Sequence, residues 1–304
     1  MSVELHDILK AYGFKLPLVI EQVDKKSVWQ INGRYILKKN DEEEKDIEKV
    51  LMINKFLKKE GIPVAEHIKT VSGQYYIVFN NDIYSLTHKM KGEHIPYDNP
   101  FSGDYKNTAR SIGIEAARLH NALKNLGNTV VYKSDLIGEL KTQLSEIKAG
   151  NIYIPCEIIN FCLSFDRVYY LLPKQLIHRD MQFGNMFFEN GKLTGFLDFD
   201  SSQVNARLFD IAYFGQSILF SNDYNDSKFV TQWVEFFGAF LSAYHSENAL
   251  CENEIKSIHK MCIILQTGFI SYYLYAEEKR GLIPRRVDMM KWIYFNEPIF
   301  NFSL

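Results

Sequence analysis

The sequence predicts a protein of the α+β class, with an antiparallel sheet near the N-terminus and helices after it. β-prone runs separated by turn residues fill most of the first 91 residues, whereas apolar residues at helical spacing dominate after Gly92. Strands grouped first and helices grouped later are typical of α+β chains, because α/β chains alternate the two. We therefore predict two domains, a β-rich domain over 1–91 and a mainly helical domain over 92–304.

Two hairpins account for the predicted sheet. In SVWQINGRYILKK (27–39), two β-prone runs meet at Asn32-Gly33, which is the strongest short-range signal for a hairpin. A second pair of runs, QYYIVF (74–79) and IYSLTHKM (83–90), is separated by a polar turn. The four runs together predict an antiparallel sheet.

One helix is predicted between the hairpins. In DEEEKDIEKVLMINKFLKKEG (41–61), apolar residues recur at helical spacing. Asp41 can cap the start of this helix and Gly61 can end it. We expect the helix to pack on the sheet.

The remainder of the chain predicts helices with apolar stripes, interrupted by one short β-prone block over 177–200. The predicted helical segments are 109–124, 134–148, 156–172, 207–220, 228–245, 254–278 and 285–295.

Charge and composition narrow the class of protein. The chain has 304 residues, 46% of them hydrophobic, and a formal net charge of −2, which gives no electrostatic case for nucleic acid or an anionic membrane as a partner. No run approaches the 18 or so apolar residues that span a bilayer. The four cysteines form no C-x-x-C pair and no metal-ligand spacing, so we expect reduced thiols in a cytoplasmic protein.

The block LIHRDMQFGNMFF (176–188) contains the residues that indicate a catalytic function. His-Arg-Asp-x-x-x-x-Asn matches the catalytic loop of phosphoryl-transfer enzymes, in which an aspartate, here Asp180, orients the attacking hydroxyl and accepts its proton. The amide oxygen of Asn185 and the carboxylate of Asp198 in FLDFD are hard ligands of the kind that Mg²⁺ prefers. A hairpin around 189–191 would fold Asp198 back toward the loop. From this motif alone, a buried His-Asp hydrogen bond without a catalytic role is the alternative.

Several blocks along the chain resemble, in the same order, those of the aminoglycoside phosphotransferase family, which includes choline/ethanolamine kinases and type II homoserine kinases. The blocks are GRYILKK, EGIPVAEHI, IYSLTHKMKGE, GIEAARLHNAL and LIHRDMQFGNMFFENGKLTGFLDFD followed by RLFDIAY. The resemblance implies a bilobal protein-kinase-like fold with ATP or GTP in its cleft. It also implies Mg²⁺ and a small hydroxylated molecule as phosphate acceptor.

The resemblance assigns residues to the phosphate end of the nucleotide. Lys38 would neutralise the phosphates, with Lys39 as the alternative, because adjacent strand residues point to opposite faces. Glu48 of the first helix would hold this lysine, and Glu44 is the second candidate. Ser27 would contact phosphate.

The resemblance also assigns residues to the base and to the loop. Met90, in the hinge over 89–91, would present backbone groups to the adenine edge. Phe187 would lie under the base, with an ordinary core position as its alternative. Asp210 of RLFDIAY would brace the catalytic loop.

Two features depart from related patterns. Arg179 stands where the family usually has a small residue, and no G-x-G-x-x-G loop precedes Lys38. No A-P-E element follows Asp198, which disfavours a protein kinase.

The nature of the acceptor stays open from the sequence. The leading hypothesis is an ATP- or GTP-dependent O-phosphotransferase similar to aminoglycoside phosphotransferases. The alternatives are a metabolic kinase of choline, homoserine or a sugar, and a catalytically silent nucleotide-binding pseudokinase.

Overall fold

The computed structural model describes residues 3–15, 17–23, 27–40, 43–126 and 133–304. Backbone contacts divide the chain into two compact units. Unit 1 contains Met1–Glu93 and Thr194–Asp200, and unit 2 contains His94–Leu193 and Ser201–Leu304. The mixed composition, with an antiparallel sheet in the N-terminal part and helices in the C-terminal part, confirms the predicted fold class.

Unit 1 is built on a five-stranded antiparallel sheet with the strand order β1-β2-β3-β5-β4. Its strands are β1 (Ile20–Gln22), β2 (Val28–Ile31), β3 (Tyr35–Asn40), β4 (Tyr76–Phe79) and β5 (Asp82–His88). Both predicted hairpins are present as β2–β3 and β4–β5.

Asparagine and glycine make the tight turns of these hairpins. Asn32 and Gly33 have φ angles of 50° and 68°, and Asn80 and Asn81 have φ angles of 52° and 67°. The left-handed region suits glycine and is several-fold enriched in asparagine, so these residues close the hairpins with little strain.

A helix near the N-terminus was not predicted from the sequence. Helix α1 (Val3–Ala11) packs a stripe of Leu5, Ile8 and Leu9, continued by Tyr12, into a core with Leu37 of β3 and neighbouring strand residues. The spacing of the stripe is helical and was the available signal.

Helix α2 (Glu44–Lys59) is the predicted helix of unit 1. The predicted cap at Asp41 lies outside the described residues. At the C-terminal end, Gly61 has a φ of 73°, and its N–H donates to the carbonyl of Lys58. A left-handed glycine is the common way to end a helix.

Unit 2 is mainly helical. Its helices are α3 (Tyr105–Leu126), α4 (Leu136–Ala149), α5 (Cys156–Leu163), α6 (Asp166–Tyr169), α7 (Leu208–Ser221), α8 (Ser227–Glu247), α9 (Glu252–Tyr275) and α10 (Ile283–Phe295). The single helix predicted over 156–172 is two short helices, because the backbone closes a turn after Leu163.

Four more short strands are present in the described part of the chain. Strand β6 (Lys174–Ile177) pairs with β9 (Gln203–Ala206), and β7 (Met186–Glu189) pairs with β8 (Lys192–Phe196). The catalytic loop predicted from the sequence therefore runs from the end of β6 to the start of β7. In the part of the chain that the structure describes, no helix has both the length and the apolar character needed to cross a bilayer.

Candidate active site

The loop that follows β6 is held in place by a buried aspartate. Asp210, in the first turn of α7, accepts hydrogen bonds from the backbone N–H groups of His178 at 2.8 Å and Arg179 at 2.7 Å. His120 of α3 lies 3.0 Å from the same carboxylate. These contacts fix the backbone immediately before Asp180, which is the bracing role assigned to Asp210 above.

Three side chains of unit 2 hold the carboxylate of Asp180. Its Oδ1 accepts hydrogen bonds from the hydroxyl of Tyr213 at 2.6 Å and the amide of Gln182 at 2.8 Å. Within the described ranges of the chain, its Oδ2 accepts a single hydrogen bond, from the amide of Asn185 at 2.7 Å. Since each carboxylate oxygen offers about two acceptor sites, Oδ2 keeps capacity for one further donor.

Gln182 is itself held by Tyr97. The hydroxyl of Tyr97 donates to Oε1 of Gln182 at 2.9 Å and accepts the backbone N–H of Gly184 at 2.9 Å. Burial raises the pKa of Tyr97, so this hydroxyl stays protonated and able to donate. A Cβ at position 184 would lie 2.9 Å from the Tyr97 oxygen, so glycine leaves room for the contact.

Tyr213 reaches Asp180 from helix α7. Burial, followed by the nearby Asp180 carboxylate, raises the pKa of Tyr213 far above its ordinary value. The phenol is therefore a permanent donor to Asp180 at physiological pH.

Asn185 is oriented by the same loop. Its amide nitrogen donates to the Asp180 backbone carbonyl at 2.9 Å and to the Asp180 carboxylate. Because the nitrogen is engaged in this way, the amide oxygen points to the other side of the group and can serve as a ligand.

In unit 1, Lys38 of β3 is held between two carboxylates. Its ammonium lies 3.0 Å from Oδ1 of Asp198 and 2.5 Å from Oδ2 of Asp200. Lys39 points to the other face of the sheet and pairs with Asp82 at 2.7 Å. Of the two lysines considered in the sequence, Lys38 is therefore the one beside Asp198.

The pKa values of this cluster reflect partial burial and mutual charge. Burial acts to lower the pKa of Lys38, but Asp200 and Asp198 outweigh it, so the pKa is raised and the ammonium stays charged. Burial raises the pKa of Asp198, against the opposing effect of Lys38.

The pairing of Lys38 with Glu48 predicted above is wrong, and Glu44 does not replace it. Glu48 lies on the exposed side of α2, and Glu44 accepts a hydrogen bond from Tyr76. The physical reason is the position of Asp200, which meets the Lys38 ammonium directly. Helix α2 instead contributes Lys49, whose ammonium donates to the Asp200 carbonyl at 2.7 Å.

Backbone and side-chain contacts anchor the segment that carries Asp198 and Asp200. The N–H of Phe196 donates to the Pro63 carbonyl at 2.9 Å, and Phe196 also bridges Val64. The hydroxyl of Thr194 donates to the Lys91 carbonyl at 2.8 Å. This segment was predicted to lie in the helical domain over 92–304, whereas its contacts group Thr194–Asp200 with unit 1.

The other predicted nucleotide contacts have defined surroundings, and their roles stay predictions. The carbonyl of Ser27 accepts the N–H of Lys39 at 2.8 Å. Met90 packs so close to Gly195 that a Cβ there would lie 1.8 Å from the Met90 methyl carbon. The half-buried ring of Phe187 lies 4.2 Å from that of His94.

Comparison with known proteins decides the family. The model of the family described as "APH: Phosphotransferase enzyme family" matches residues 23–250. The chain belongs to this family. It is a phosphotransferase of the small-molecule kinase class, which confirms the resemblance found in the sequence.

Solved structures of phosphotransferases have the same fold. The amicoumacin kinase hAmiN, in complex with AMP-PNP, Ca²⁺ and Ami, is 17% identical, with a TM-score of 0.70 and coverage of 98% of this chain and 95% of that one. The GDP and kanamycin complex of APH(2")-IIia is 11% identical, with a TM-score of 0.70 and coverage of 97% and 99%. The microcompartment-associated aminopropanol kinase is 12% identical, with a TM-score of 0.69 and coverage of 95% and 94%. No curated protein matches the chain in sequence.

Sequence reasoning missed several residues that hold the candidate catalytic groups. Asp200 was visible in FLDFD, but only its neighbour Asp198 was assigned. Tyr213 stands three residues after Asp210 in RLFDIAY, so it is one helical turn away on the same face of α7. Gln182 lies inside the catalytic motif, at one of the four positions between Asp180 and Asn185 that the pattern leaves unspecified. Tyr97 and Lys49 belong to no recognised motif, and only the fold shows what they contact.

Proposed function

We propose that this phosphotransferase moves the γ-phosphoryl group of ATP or GTP to a hydroxyl of a small molecule. The observation that carries the proposal is the Asp180 carboxylate, fixed by three donors and with acceptor capacity left on Oδ2. A hydroxyl that donates to Oδ2 is oriented for attack, and its proton passes to the carboxylate as the phosphoryl group transfers.

Residues of each unit are assigned to the nucleotide and its metal ion. In unit 1, Lys38 would neutralise charge on the nucleotide, Ser27 would be a further phosphate contact, and Met90 would lie near the base. Phe187 of unit 2 is also assigned to the base. Asn185 and Asp198 offer hard oxygen atoms, and Mg²⁺ is commonly bound by one or two such groups together with substrate phosphates. When bound, the ion would offset phosphate charge during transfer.

The identity of the donor and acceptor is the finer part of the proposal. Relatives of the same fold have been solved with AMP-PNP and with GDP, so both nucleotides are candidates here. One of these relatives is an amicoumacin kinase, one was solved with kanamycin and GDP, and one is an aminopropanol kinase. This range supports a small hydroxylated molecule as acceptor without selecting one. The four free cysteines fit a protein of the reducing cytoplasm, where we place it.

The proposal is tested by nucleoside diphosphate release from Mg·ATP and Mg·GTP in the presence of aminoglycosides, macrolides, amino alcohols, homoserine and sugars. With the acceptor that responds, Asp180→Asn should lower turnover by roughly 10² to 10⁴-fold, as expected for loss of a general base. The matched control Asp288→Asn removes a carboxylate that is 68% exposed and should leave turnover unchanged.

Two results would contradict the proposal. Normal turnover in Asp180→Asn would remove this carboxylate from the mechanism. Nucleotide binding without turnover on any acceptor would favour the silent pseudokinase instead.

A further inference from the structure

Two carboxylates among the described residues pair with Lys38, and the proposed function gives a role to Asp198 but none to Asp200. Oδ2 of Asp200 is 2.5 Å from the Lys38 ammonium, closer than Oδ1 of Asp198 at 3.0 Å. The Asp200 side chain is 19% exposed, compared with 41% for Asp198. The stronger and better shielded contact of Lys38 is therefore with Asp200, because water screens an exposed ion pair more than a buried one.

The backbone of Asp200 is fixed as well. Its carbonyl accepts the Lys49 ammonium at 2.7 Å, so helix α2 and strand β3 each direct a lysine to the same residue. Lysine has a flexible four-carbon stem and loses its orientation easily unless it is held. A carboxylate anchored in this way can hold the Lys38 ammonium in one position.

We infer that Asp200 is the positioning residue for Lys38, in the role that the sequence analysis gave to Glu48. Asp200 holds the ammonium that binds the nucleotide phosphates, and Asp198 is thereby left to serve as the metal ligand. The inference rests on the proposed function, since it concerns how the nucleotide is bound.

The direction in which Asp200→Asn changes nucleotide affinity distinguishes this positioning role from a simple charge effect. Asp200→Asn removes a negative charge near a site for a polyanion, so Coulomb attraction alone would make nucleotide binding tighter. It also removes the group that orients Lys38. We expect the second effect to be larger, because a charge-assisted hydrogen bond stabilises by enough to change affinity by about 10-fold or more.

The experiment is isothermal titration of the full chain with ATP and with GTP, in the presence of Mg²⁺ and again with EDTA. We expect Asp200→Asn to weaken binding by about 10-fold in both conditions. Glu48→Gln, the matched control on α2, should stay within about twofold of the wild type. Asp200→Glu keeps a carboxylate and should recover most of the affinity.

A double-mutant cycle tests whether Asp200 acts through Lys38. If it does, Asp200→Asn should add no further loss in a Lys38→Ala background. A full additional loss there would overturn the inference. So would tighter or unchanged binding in the single variant, or a loss seen only with Mg²⁺, which would make Asp200 a metal ligand.

Failure of the inference is distinguishable from failure of the proposed function. Absence of nucleotide binding in the wild type would contradict the proposed function itself. If Asp200→Asn does not fold, Asp200→Glu and Lys49→Met report on the same anchor. The inference would be contradicted if Lys49→Met bound nucleotide with wild-type affinity while Asp200→Glu lost about 10-fold in affinity. In that case a carboxylate at position 200 would not be sufficient to position Lys38.

Discussion

Arg179 and Asp198, two residues of the predicted motif, have left-handed backbones, with φ angles of 70° and 63°. Such a conformation costs a side-chain-bearing residue of the order of 1–3 kcal/mol and persists only where the surroundings enforce it. Around Arg179, a 2.6 Å ion pair with Glu139 and the ring of Phe209, 5.4 Å away, supply that enforcement. Glycine would adopt this positive φ without the steric cost.

The hydroxyl of Tyr213 gives a second residue-scale prediction. Tyr213→Phe removes the 2.6 Å hydrogen bond to Oδ1 of Asp180 while keeping the ring and its packing. Because hydrogen bonds to charged groups are worth about 1.5–3 kcal/mol, we expect kcat to fall by about 10-fold or more. The KM for the nucleotide should stay unchanged, and both constants are measured by steady-state kinetics with the acceptor that responds.

The control for Tyr213 is Tyr272, an exposed phenol on helix α9. Tyr272→Phe alters a side chain that is 52% exposed and should leave kcat at the wild-type value. An unchanged kcat in Tyr213→Phe would contradict the positioning of Asp180 by this hydroxyl. Phosphate found on Tyr213 by mass spectrometry would mean instead that the phenol acts as an acceptor.

The candidate catalytic residues were predictable from the sequence where they belong to a short local motif. Asp180 and Asn185 are five positions apart, and a hydrogen bond joins them across that interval. The partner of Lys38 was not predictable in this way, since Lys38 and Asp200 are 162 positions apart. Both Glu48 and Asp200 can neutralise a lysine, and only the fold decides which one reaches it.

At the scale of elements, helices α3 and α8 approach so closely that glycine is needed where they meet. A Cβ at Gly113 of α3 would lie 2.3 Å from the backbone oxygen of Phe240 in α8. Real Cβ atoms do not come this close to backbone, so the two helices would have to separate. The histidine that touches Asp210 lies on the same helix as Gly113.

Gly113→Ala should therefore lower the free energy of unfolding by about 1–3 kcal/mol, the usual cost of overpacking a core. The matched control is Gly238→Ala in α8, where the new Cβ would make an ordinary contact with Phe302 at 3.6 Å. The control should be neutral or more stable, because alanine favours a helix over glycine by about 1 kcal/mol. Urea unfolding measures both, and equal stability of the two variants would contradict the close packing.

The elements that sequence analysis recovered are those with an uninterrupted pattern. The hairpins of unit 1 have asparagine or glycine at their turns, and the long helices α8 and α9 have continuous apolar stripes. The boundary between α5 and α6 was missed because apolar residues continue through the break. Helix α1 has only nine residues, so its apolar stripe was too short to predict a helix from the sequence alone. The structure shows that the stripe packs against residues of the sheet.

At the scale of the whole molecule, the boundary between the two units does not lie at a single position in the sequence. The segment Thr194–Asp200 belongs to unit 1, although it follows 100 residues of unit 2. This grouping was not predictable from the sequence, because two of the contacts that hold the segment are accepted by the backbone carbonyls of Pro63 and Lys91. A backbone carbonyl can accept a hydrogen bond whatever the residue type, so such contacts cannot be recognised in the sequence. The motif residues of the segment can be recognised, because their side chains define the motif.

The stability of the molecule should depend on pH through His67 of unit 1. Burial, followed by the charge of Lys38, lowers the pKa of His67 from 6.5 to about 4. The unfolded chain therefore takes up a proton at His67 at a higher pH than the folded chain does. Because the unfolded chain binds this proton more readily, lowering the pH favours unfolding. The contribution of neutral His67 to the free energy of unfolding is therefore complete above about pH 6.5 and is lost as the pH falls toward 4.

We expect the wild type to lose up to about 1.4 kcal/mol of stability per pH unit through this group between pH 6.5 and 4, since one proton is involved. His67→Gln cannot take up that proton, so its free energy of unfolding should fall less steeply over the same interval. Urea unfolding at half-unit steps of pH measures both slopes. Burial also lowers the pKa of His259. The contributions of His259 and of the carboxylates are common to both proteins, so they cancel in the difference between the two slopes. Parallel curves for the two proteins would mean that His67 takes up its proton equally well folded and unfolded, and would contradict its burial as a neutral ring beside Lys38.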